Sequence, residues 1–439
     1  MVLDNGRGTG DFGAIRRVAM ISVHTSPLAR LGERDAGGLN VYVRELSRQL
    51  GRLGVAVDIF TRRADPDTPD VVPCDENVRV VHITAGPPAP VDKNALFDLL
   101  PGFAAEMALF ALREGAGYDV VHGHYWLSGW VTHLLRRYWD APTVQMFHTL
   151  GHLKQDAARA AGAADGGESA QRIAIEREVM ERADAIVAAN ARERAEMVWW
   201  YGLRAPKIAT IGCGIDLDLF RPGDRAAARA ALGLGDAPTL LYVGRIDPAK
   251  GVEFLLDGFA RLRASWRGSA PPRLDIVGGE LRGDALGPDL ARLRDQAAAL
   301  GVAAGIHFHG PQPHEALPAY YAAADVTVVP SRYESFGLVA VEAMACGTPV
   351  VASHVGGLAY TIEDGENGFL VPYGDGDALA AALARVLGDD GLRDRLSAGA
   401  LATAAGHSWV GVTRQILALY RDLAARRAVP AGLCLYGGD

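Results

Sequence analysis

Two cations in one loop of the second half of the chain are suited to phosphate chemistry. Arg245 and Lys250 stand five residues apart between Gly244 and Gly251, directly after the apolar run Thr239–Val243. Arginine offers a bidentate fork and lysine a point charge, so together they can hold a diphosphate. The alternative is a pair of solvated surface cations. Their position at the C-terminal end of a predicted strand favours the diphosphate clamp.

Two glutamates in the pattern E-x7-E form the second candidate set. Glu334 lies just before a helix that we expect to begin near Phe336, and Glu342 lies about two turns inside it. An acidic residue near a helix start can simply complement the dipole. Glu342, however, is flanked by apolar residues, where a carboxylate needs partners, and we expect ligand hydroxyls to supply them. The free N–H groups of Phe336, Gly337 and Leu338 predict a second anion site.

A glycine-rich loop stands at the first strand of the chain. The predicted strand Val18–Val23 leads to His24, and Asp35-Ala-Gly-Gly38-Leu-Asn40 then opens a helix. Glycines let the backbone approach a ligand, and the N–H groups of a helix start suit an anion. The sequence is not G-x-G-x-x-G, so it lacks the dinucleotide fingerprint. Both a phosphate-binding loop and a plain turn remain open at this point.

Histidines and aromatic residues end two further strands of the first half. The segments are His122-Gly-His124-Tyr125-Trp126 and Phe147-His148-Thr149. A metal site would need acidic or thiol ligands at fixed spacing, and none accompany these histidines in the sequence. We therefore expect no metal and interpret the residues as polar groups that line a cleft.

The elements that must position these residues alternate between short apolar runs and amphipathic helices. This β-α-β order predicts parallel, doubly wound sheets and an α/β fold. The order restarts after the Gly/Pro-rich stretch Gly212–Pro222, which predicts two Rossmann-like domains that face a cleft, residues 1–212 and 213–408. The predicted strands are Val18–Val23, Val55–Phe60, Val78–Ile83, Val120–His122, Thr143–Phe147, Ala185–Ala188, Thr239–Val243, Leu274–Val277, Ile306–His309, Val326–Val329 and Pro349–Ala352.

Composition excludes several classes of function. The 439 residues include 44 Lys+Arg and 52 Asp+Glu, a formal charge of −8, so no basic excess attracts nucleic acid. No apolar run reaches the roughly 18 residues of a membrane span. Four scattered cysteines without a C-x-x-C pair predict a reduced, cytoplasmic protein. The sequence leaves a homodimer open.

These motifs together resemble the family-4 retaining glycosyltransferases, which have the two-domain GT-B fold. The resemblance rests on Gly244-Arg245 with Lys250, on ESFGLVAVEAMACGTPVVAS with Val355-Gly-Gly357, and on Gly365–Val371, and it spans Arg16 to Leu423. Within the family, HTSPL, DAGGLNVYV, HGHYWLSG and FHTL are most similar to the mycothiol-pathway enzymes that move N-acetylglucosamine from UDP to inositol phosphate. Sucrose-phosphate synthases share much of this pattern. The sequence departs from the family at Tyr320-Tyr321, where Tyr-Arg is usual.

The resemblance implies a role for each matching residue. Residues 1–212 would bind the acceptor and residues 213–408 the nucleotide sugar, with a last helix in 409–439 packing back on the first domain. Catalytic roles would fall to His148, Arg245, Lys250 and Glu334. The donor diphosphate would contact Gly38, Arg245 and Lys250, and also the N–H groups of Phe336, Gly337 and Leu338. The donor sugar would contact Glu334, the ribose Glu342 and the base Gln312. Acceptor contacts would come from Lys93, Tyr125, Thr149 and Arg172 at a phosphate and Asn40 at a polyol.

The implied reaction moves glucose or N-acetylglucosamine from UDP to a small phosphorylated polyol with retention, without a cofactor or metal. The sequence has D-x-D at Asp65, Asp216 and Asp375, the motif with which another glycosyltransferase fold binds a divalent ion. We expect all three in loops away from the site.

Three alternatives remain at this stage. The acceptor could be fructose 6-phosphate, or an unphosphorylated aminocyclitol or secondary metabolite. The chain could instead be a nucleotide-sugar epimerase or hydrolase of the same fold, or a binding module without catalysis.

Overall fold

A computed structural model of the chain describes residues 14–29, 37–92, 95–160, 170–282 and 285–428. The chain divides into two compact units. Within the described ranges, the first unit contains residues 14–29, 37–211 and 409–428, and the second contains residues 212–408.

The first unit is built on an eight-stranded sheet in the order β3-β4-β2-β1-β5-β6-β7-β8, parallel except for β3. Its strands are β1 (Arg17–Ile21), β2 (Ala56–Arg62), β3 (Val71–Asp75), β4 (Val78–Ile83), β5 (Val120–His124), β6 (Thr143–Met146), β7 (Ala185–Ala188) and β8 (Ile208–Thr210). Its helices are α1 (Gly38–Arg52), α2 (Leu100–Glu114), α3 (Tyr125–Leu135), α4 (Gly151–Ala160), α5 (Ala170–Arg182) and α6 (Ala191–Tyr201). The central strands are buried, apart from Arg17 at the start of β1, which is why they appear in the sequence as apolar runs.

The second unit contains a six-stranded parallel sheet in the order β13-β10-β9-β14-β15-β16, and a short hairpin of β11 and β12. Its strands are β9 (Thr239–Val243), β10 (Arg273–Val277), β11 (Leu281–Arg282), β12 (Ala285–Leu286), β13 (Ile306–Gly310), β14 (Val326–Val329), β15 (Val350–Ser353) and β16 (Gly368–Val371). Its helices are α7 (Arg225–Ala231), α8 (Val252–Ser265), α9 (Pro288–Ala299), α10 (Leu317–Ala323), α11 (Leu338–Ala345), α12 (Leu358–Thr361), α13 (Gly376–Gly388) and α14 (Asp390–Ala405).

The last helix, α15 (Trp409–Ala428), belongs to the first unit, although it follows the second in sequence. Its buried Trp409 packs edge-on against Tyr42 of α1, with ring centroids 5.3 Å apart. Among the described residues, no helix has both the length and the apolar character that a membrane crossing requires.

The predicted α/β class with two Rossmann-like sheets is confirmed, and each predicted strand lies within two residues of an observed one. Strands β3, β8 and β16 and the two-residue strands β11 and β12 were missed in the sequence analysis. Strand β3 carries Pro73, Cys74 and Asp75, all exposed, so it has no apolar run to detect. Strand β8 has only three residues, and β16 begins with a glycine.

Candidate active site

Each sheet contains one point where the strand order reverses, and the candidate residues gather there. In the first unit the reversal lies between β1 and β5, and in the second unit between β9 and β14. Ligands of open α/β sheets bind outside the carboxyl ends of the strands at such points. In the second unit the loops that leave β9 and β14 carry Arg245, Lys250 and Glu334. In the first unit the equivalent segments carry Gly38, Asn40 and Tyr125.

A salt bridge joins the two loops of the second unit. The Lys250 Nζ atom lies 2.7 Å from Glu334 Oε2, and both side chains are partly exposed. The backbone N–H of Arg332 also donates to the carbonyl of Ala249, at 2.9 Å. The lysine and the glutamate are 84 residues apart in sequence, and the pairing of β9 with β14 brings them together.

Two glycines allow the close approach of backbone that this arrangement needs. Gly251 has φ of +67°, and a Cβ there would lie 2.1 Å from the carbonyl oxygen of Pro330. Gly356 has φ of +47°, and a Cβ there would lie 1.9 Å from the carbonyl oxygen of Glu334. The N–H of Gly357 donates to that same oxygen at 2.9 Å. Side chains at 251 and 356 would therefore displace the Glu334 segment.

Arg245 presents its guanidinium outward from a fixed backbone. The Tyr242 hydroxyl donates to the Arg245 carbonyl at 2.7 Å, while the Arg245 side chain is half exposed. Its guanidinium makes a loose ion pair with Asp247, at 3.4 Å. Because exposed pairs are weak, the guanidinium can turn to an anionic ligand at small cost.

Glu342 is buried and already has protein partners, which corrects the expectation that ligand hydroxyls alone would satisfy it. The Tyr321 hydroxyl donates to Oε2 at 2.9 Å, and His314 Nε2 lies 3.3 Å from Oε1. Burial and the nearby carboxylate raise the pKa of Tyr321 well above its ordinary value, so the phenol keeps its proton. Sequence reasoning missed both partners, although it did mark Tyr321 as a departure from the family pattern.

The helix that carries Glu342 begins later than predicted. Helix α11 starts at Leu338, with Gly337 as its N-cap at φ of +87°, so Glu342 lies about one turn inside rather than two. Phe336 packs against the ring of His407 outside the helix. Gln312 follows β13, and its amide donates to the His309 carbonyl at 2.8 Å.

In the first unit, a buried arginine gathers two of the other predicted acceptor residues. Arg172 is 1% exposed, so it is not a solvated surface charge. Its guanidinium donates to the Tyr125 hydroxyl at 3.2 Å, to the Thr149 carbonyl at 2.8 Å and to Thr149 Oγ1 at 3.1 Å. Lys93, the remaining predicted phosphate contact, lies outside the described residues.

A buried glutamate that sequence reasoning missed anchors this arginine. Glu176 accepts from Arg172 Nε at 2.7 Å, from the backbone N–H of Gly151 at 2.9 Å and from the Tyr201 hydroxyl. It is fully buried. The spacing of Arg172 and Glu176, four residues apart on one helix, is also typical of surface pairs, so the sequence carried no signal that this pair is buried.

Asn40 ties the loop after β1 to the start of α1. Its amide nitrogen donates to Thr25 Oγ1 at 2.7 Å and to the Ser26 carbonyl at 2.6 Å. Its amide oxygen accepts from the N–H of Gly37 at 3.2 Å, and Gly38 is the first residue of the helix. Asn40 therefore holds the glycine pair beside the end of β1.

The histidines at the end of β5 are not cleft-lining residues, because His122 and His124 are fully buried. His122 Nδ1 contacts the Tyr420 hydroxyl of α15 at 2.7 Å, and His124 Nδ1 contacts His148 Nε2 at 3.0 Å. His148 itself is half-buried, with φ of +60°. Burial lowers the pKa of both His122 and His148 to about 3, so both rings are neutral at physiological pH.

The three D-x-D segments have local structural roles. The first aspartate of each, Asp65, Asp216 and Asp375, accepts from a backbone N–H two or three residues further on, at 2.9–3.1 Å. Asp377 lies in the first turn of α13, not in a loop as expected. In the part of the chain that the structure describes, no three His, Cys, Asp or Glu residues are grouped so that they could hold a metal ion.

Comparison with known proteins identifies the family. The model of Glycosyltransferase Family 4 matches residues 36–219, and that of Glycosyl transferases group 1 matches residues 224–402. The D-inositol 3-phosphate glycosyltransferase of Acidothermus cellulolyticus is 43% identical over 419 residues, which cover 95% of this chain and 92% of that protein. The chain belongs to glycosyltransferase family 4.

Another curated relative and a solved structure are similar to this family-4 glycosyltransferase over nearly its whole length. D-inositol 3-phosphate glycosyltransferase 1 of Catenulispora acidiphila is 45% identical over 416 residues, covering 93% of this chain and 96% of its own. The solved sucrose-phosphate synthase of Thermosynechococcus elongatus superposes with a TM-score of 0.84 at 36% identity, covering 94% of this chain and 100% of the other. The two Rossmann-like units are those of the GT-B fold, and the protein is a hexosyltransferase enzyme.

Proposed function

We propose that this glycosyltransferase moves N-acetylglucosamine or glucose from UDP to a hydroxyl of a small phosphorylated polyol of the inositol phosphate type, with retention of configuration. The observation that carries the proposal is the buried Arg172 guanidinium beside Tyr125 and Thr149. A buried arginine flanked by two hydroxyls suits a phosphate, since charge-assisted bonds to it are strong. Relatives more than 40% identical over nearly the whole chain are named D-inositol 3-phosphate glycosyltransferases.

Apart from Gly38, the donor residues lie in the second unit. Negative charge develops on the diphosphate as the sugar leaves, and Arg245, Lys250 and the N–H groups at the start of α11 stabilise it. Glu334, which pairs with Lys250, binds hydroxyls of the sugar. Gln312 lies near the base.

The carboxylate of Glu342 is held in place by its protein partners and binds the ribose. A carboxylate has about four lone-pair positions, of which Tyr321 and His314 each take one. The remaining positions suit the adjacent 2′ and 3′ hydroxyls. Because both partners hold the carboxylate in place, little side-chain entropy is lost when the ribose binds.

The acceptor residues lie in the first unit. Arg172, Thr149, Tyr125 and Lys93 bind the phosphate, and Asn40 binds the polyol. Gly38 brings its backbone N–H to the donor diphosphate. His148 stands beside the transferred sugar, and transfer on one face through an ion-pair-like transition state retains the configuration.

A second candidate acceptor is fructose 6-phosphate. It rests on the likeness to the solved sucrose-phosphate synthase, at 36% identity and a TM-score of 0.84. Both acceptors present a phosphate to the same cation, so Arg172 does not distinguish between them.

Nucleotide release tests the proposal. The purified chain is incubated with UDP-N-acetylglucosamine, UDP-glucose, and GDP- and ADP-sugars. Each donor is combined with inositol phosphate, inositol, fructose 6-phosphate, fructose or no acceptor. We expect rapid release only with a UDP-sugar and a phosphorylated acceptor. Equal rates with inositol and its phosphate would contradict the phosphate site, and release without any acceptor would indicate a hydrolase or an epimerase that also hydrolyses the donor.

A conservative variant sharpens this test. Thr149→Val removes a hydroxyl from the proposed site but keeps its shape, and we expect it to raise the acceptor KM several-fold while the KM for the UDP-sugar is unchanged. Thr68→Val, in a turn of the same unit outside the site, is the matched control.

A further inference from the structure

A line of contacts runs from β1 through His124 to His148. The Met20 sulfur of β1 lies 2.8 Å from His124 Nε2, and His124 Nδ1 lies 3.0 Å from His148 Nε2. Strands β1, β5 and β6 lie side by side in the sheet. Met20 is in β1, His124 ends β5 and His148 follows β6, so the three side chains are neighbours. Met20 and His124 are fully buried.

The chemistry of the sulfur determines where the protons lie. A thioether has only lone pairs, so it accepts and never donates. A bare Nε2 lone pair so close to it would be repelled, and Nε2 of His124 must therefore carry a hydrogen. Burial and the neighbouring histidines lower the pKa of His124 well below its usual range, so the ring is neutral and its Nδ1 is a lone pair.

The same reasoning extends to His148. Because His124 Nδ1 can only accept, His148 Nε2 carries the hydrogen that joins the two rings. His148 is neutral as well, since burial lowers its pKa to about 3. Its Nδ1 is then a lone pair.

We propose that His124 is a positioning residue which, with Met20 behind it, holds His148 in the tautomer whose Nδ1 accepts a hydrogen bond from a substrate hydroxyl. The substrate part rests on the proposed function, which places His148 beside the transferred sugar. His148 thus orients the sugar and does not supply a proton to the leaving group.

The backbone of His148 shows why such positioning is needed. Its φ of +60° lies in the left-handed region, which is unfavourable for a residue with a side chain. The bond from His148 to His124 and the edge contact of its ring with Tyr42, at 5.2 Å between centroids, oppose that strain. The other groups packed around His124 are the rings of Tyr42, at 5.6 Å, and His122, at 4.3 Å.

Two variants of equal size separate positioning from packing. His124→Asn keeps an oxygen close to the place of Nδ1, so it still accepts from His148. In His124→Leu the new side chain has nearly the same shape as asparagine but no hydrogen-bond acceptor. We expect kcat of the Asn variant to be within a few-fold of the wild type and kcat of the Leu variant to fall roughly 10- to 100-fold. We expect little change in KM for either substrate. A purely structural role predicts no advantage of the Asn variant over the Leu variant, because both fill the same buried space.

Nitrogen NMR of the imidazoles provides a readout that needs no substrate. In the chain labelled with ¹⁵N-histidine, and with His148 assigned from the His148→Asn spectrum, we expect His148 to be protonated at Nε2 only. His124→Leu should give a mixture of tautomers at His148, while His124→Asn should not.

The outcomes are distinguishable. Protonation of His148 at Nδ1 in the wild type, or equal kcat of the Leu and Asn variants, would overturn the inference. A wild type with the expected tautomer that transfers no sugar would instead overturn the proposed function.

Discussion

Replacing Arg172 with alanine should destabilise the first unit as well as weaken acceptor binding. Arg172 and Glu176 are 1% and 0% exposed and lie 2.7 Å apart. Without the arginine, Glu176 keeps the donors Gly151 and Tyr201 but loses its counter-charge. Removing one partner of a buried ion pair costs about 3–5 kcal/mol. In a unit of this size each kcal/mol lowers Tm by about 2–4 °C, so we expect a fall of roughly 6–20 °C.

A partly exposed pair of the same spacing is the control. Arg192 and Glu196 are also four residues apart on a helix, 2.8 Å from each other, but the arginine is 46% and the glutamate 14% exposed. Such surface pairs contribute about 0–1 kcal/mol. Arg192→Ala should therefore change Tm by only a few degrees and leave acceptor kinetics unchanged.

A double substitution separates stability from recognition. Arg172→Ala with Glu176→Gln leaves no uncompensated charge, so Tm should recover in part, whereas the preference for a phosphorylated acceptor should stay lost. Thermal unfolding by circular dichroism and steady-state kinetics measure the two effects. If Arg172→Ala is as stable as Arg192→Ala, the reasoning about the buried pair is wrong. If the double variant still prefers the phosphorylated acceptor, Arg172 does not recognise the phosphate.

Three further predictions concern the donor site and pH. Lys250→Ala and Arg245→Ala should each lower kcat/KM for the UDP-sugar by about 10²- to 10³-fold with little change in Tm; near-normal turnover of the folded double variant would refute the clamp. EDTA should leave the initial rate largely intact, because the proposed clamp supplies the positive charge; complete loss with rescue by Mn²⁺ would contradict this. Burial raises the pKa of Glu193 from 4.5 to about 7. The folded state therefore favours the protonated carboxyl. The free energy of unfolding is fully retained below pH 4.5, and about 3 kcal/mol of it is lost as the pH rises through 7. Glu193→Gln can keep the bond from the Ala189 N–H, so its Tm should exceed that of the wild type at pH 8 but not at pH 4.5, and equal Tm values at pH 8 would count against this.

The order of strands and helices could be predicted from the sequence because it depends on local patterns. Central strands such as Val326–Val329 are buried on both faces and therefore appear as unbroken apolar runs. The loops that follow them could be located for the same reason, and the motifs there indicated Arg245, Lys250 and Glu334. Edge strands such as Val71–Asp75 could not be predicted in this way, since an exposed strand needs no apolar run.

Burial and partners were decided only by the tertiary structure. Strand pairing brings Lys250 to Glu334, and the burial of α5 turns Arg172 and Glu176, a spacing common on surfaces, into an internal ion pair. Helix α15 lies nearly 300 residues from His122 in sequence, yet Tyr420 contacts that ring. The type of a residue and its neighbours along the chain determine which hydrogen bonds and ion pairs it can form. Which segment packs against it depends on the sheet order, and that order is a property of the whole fold.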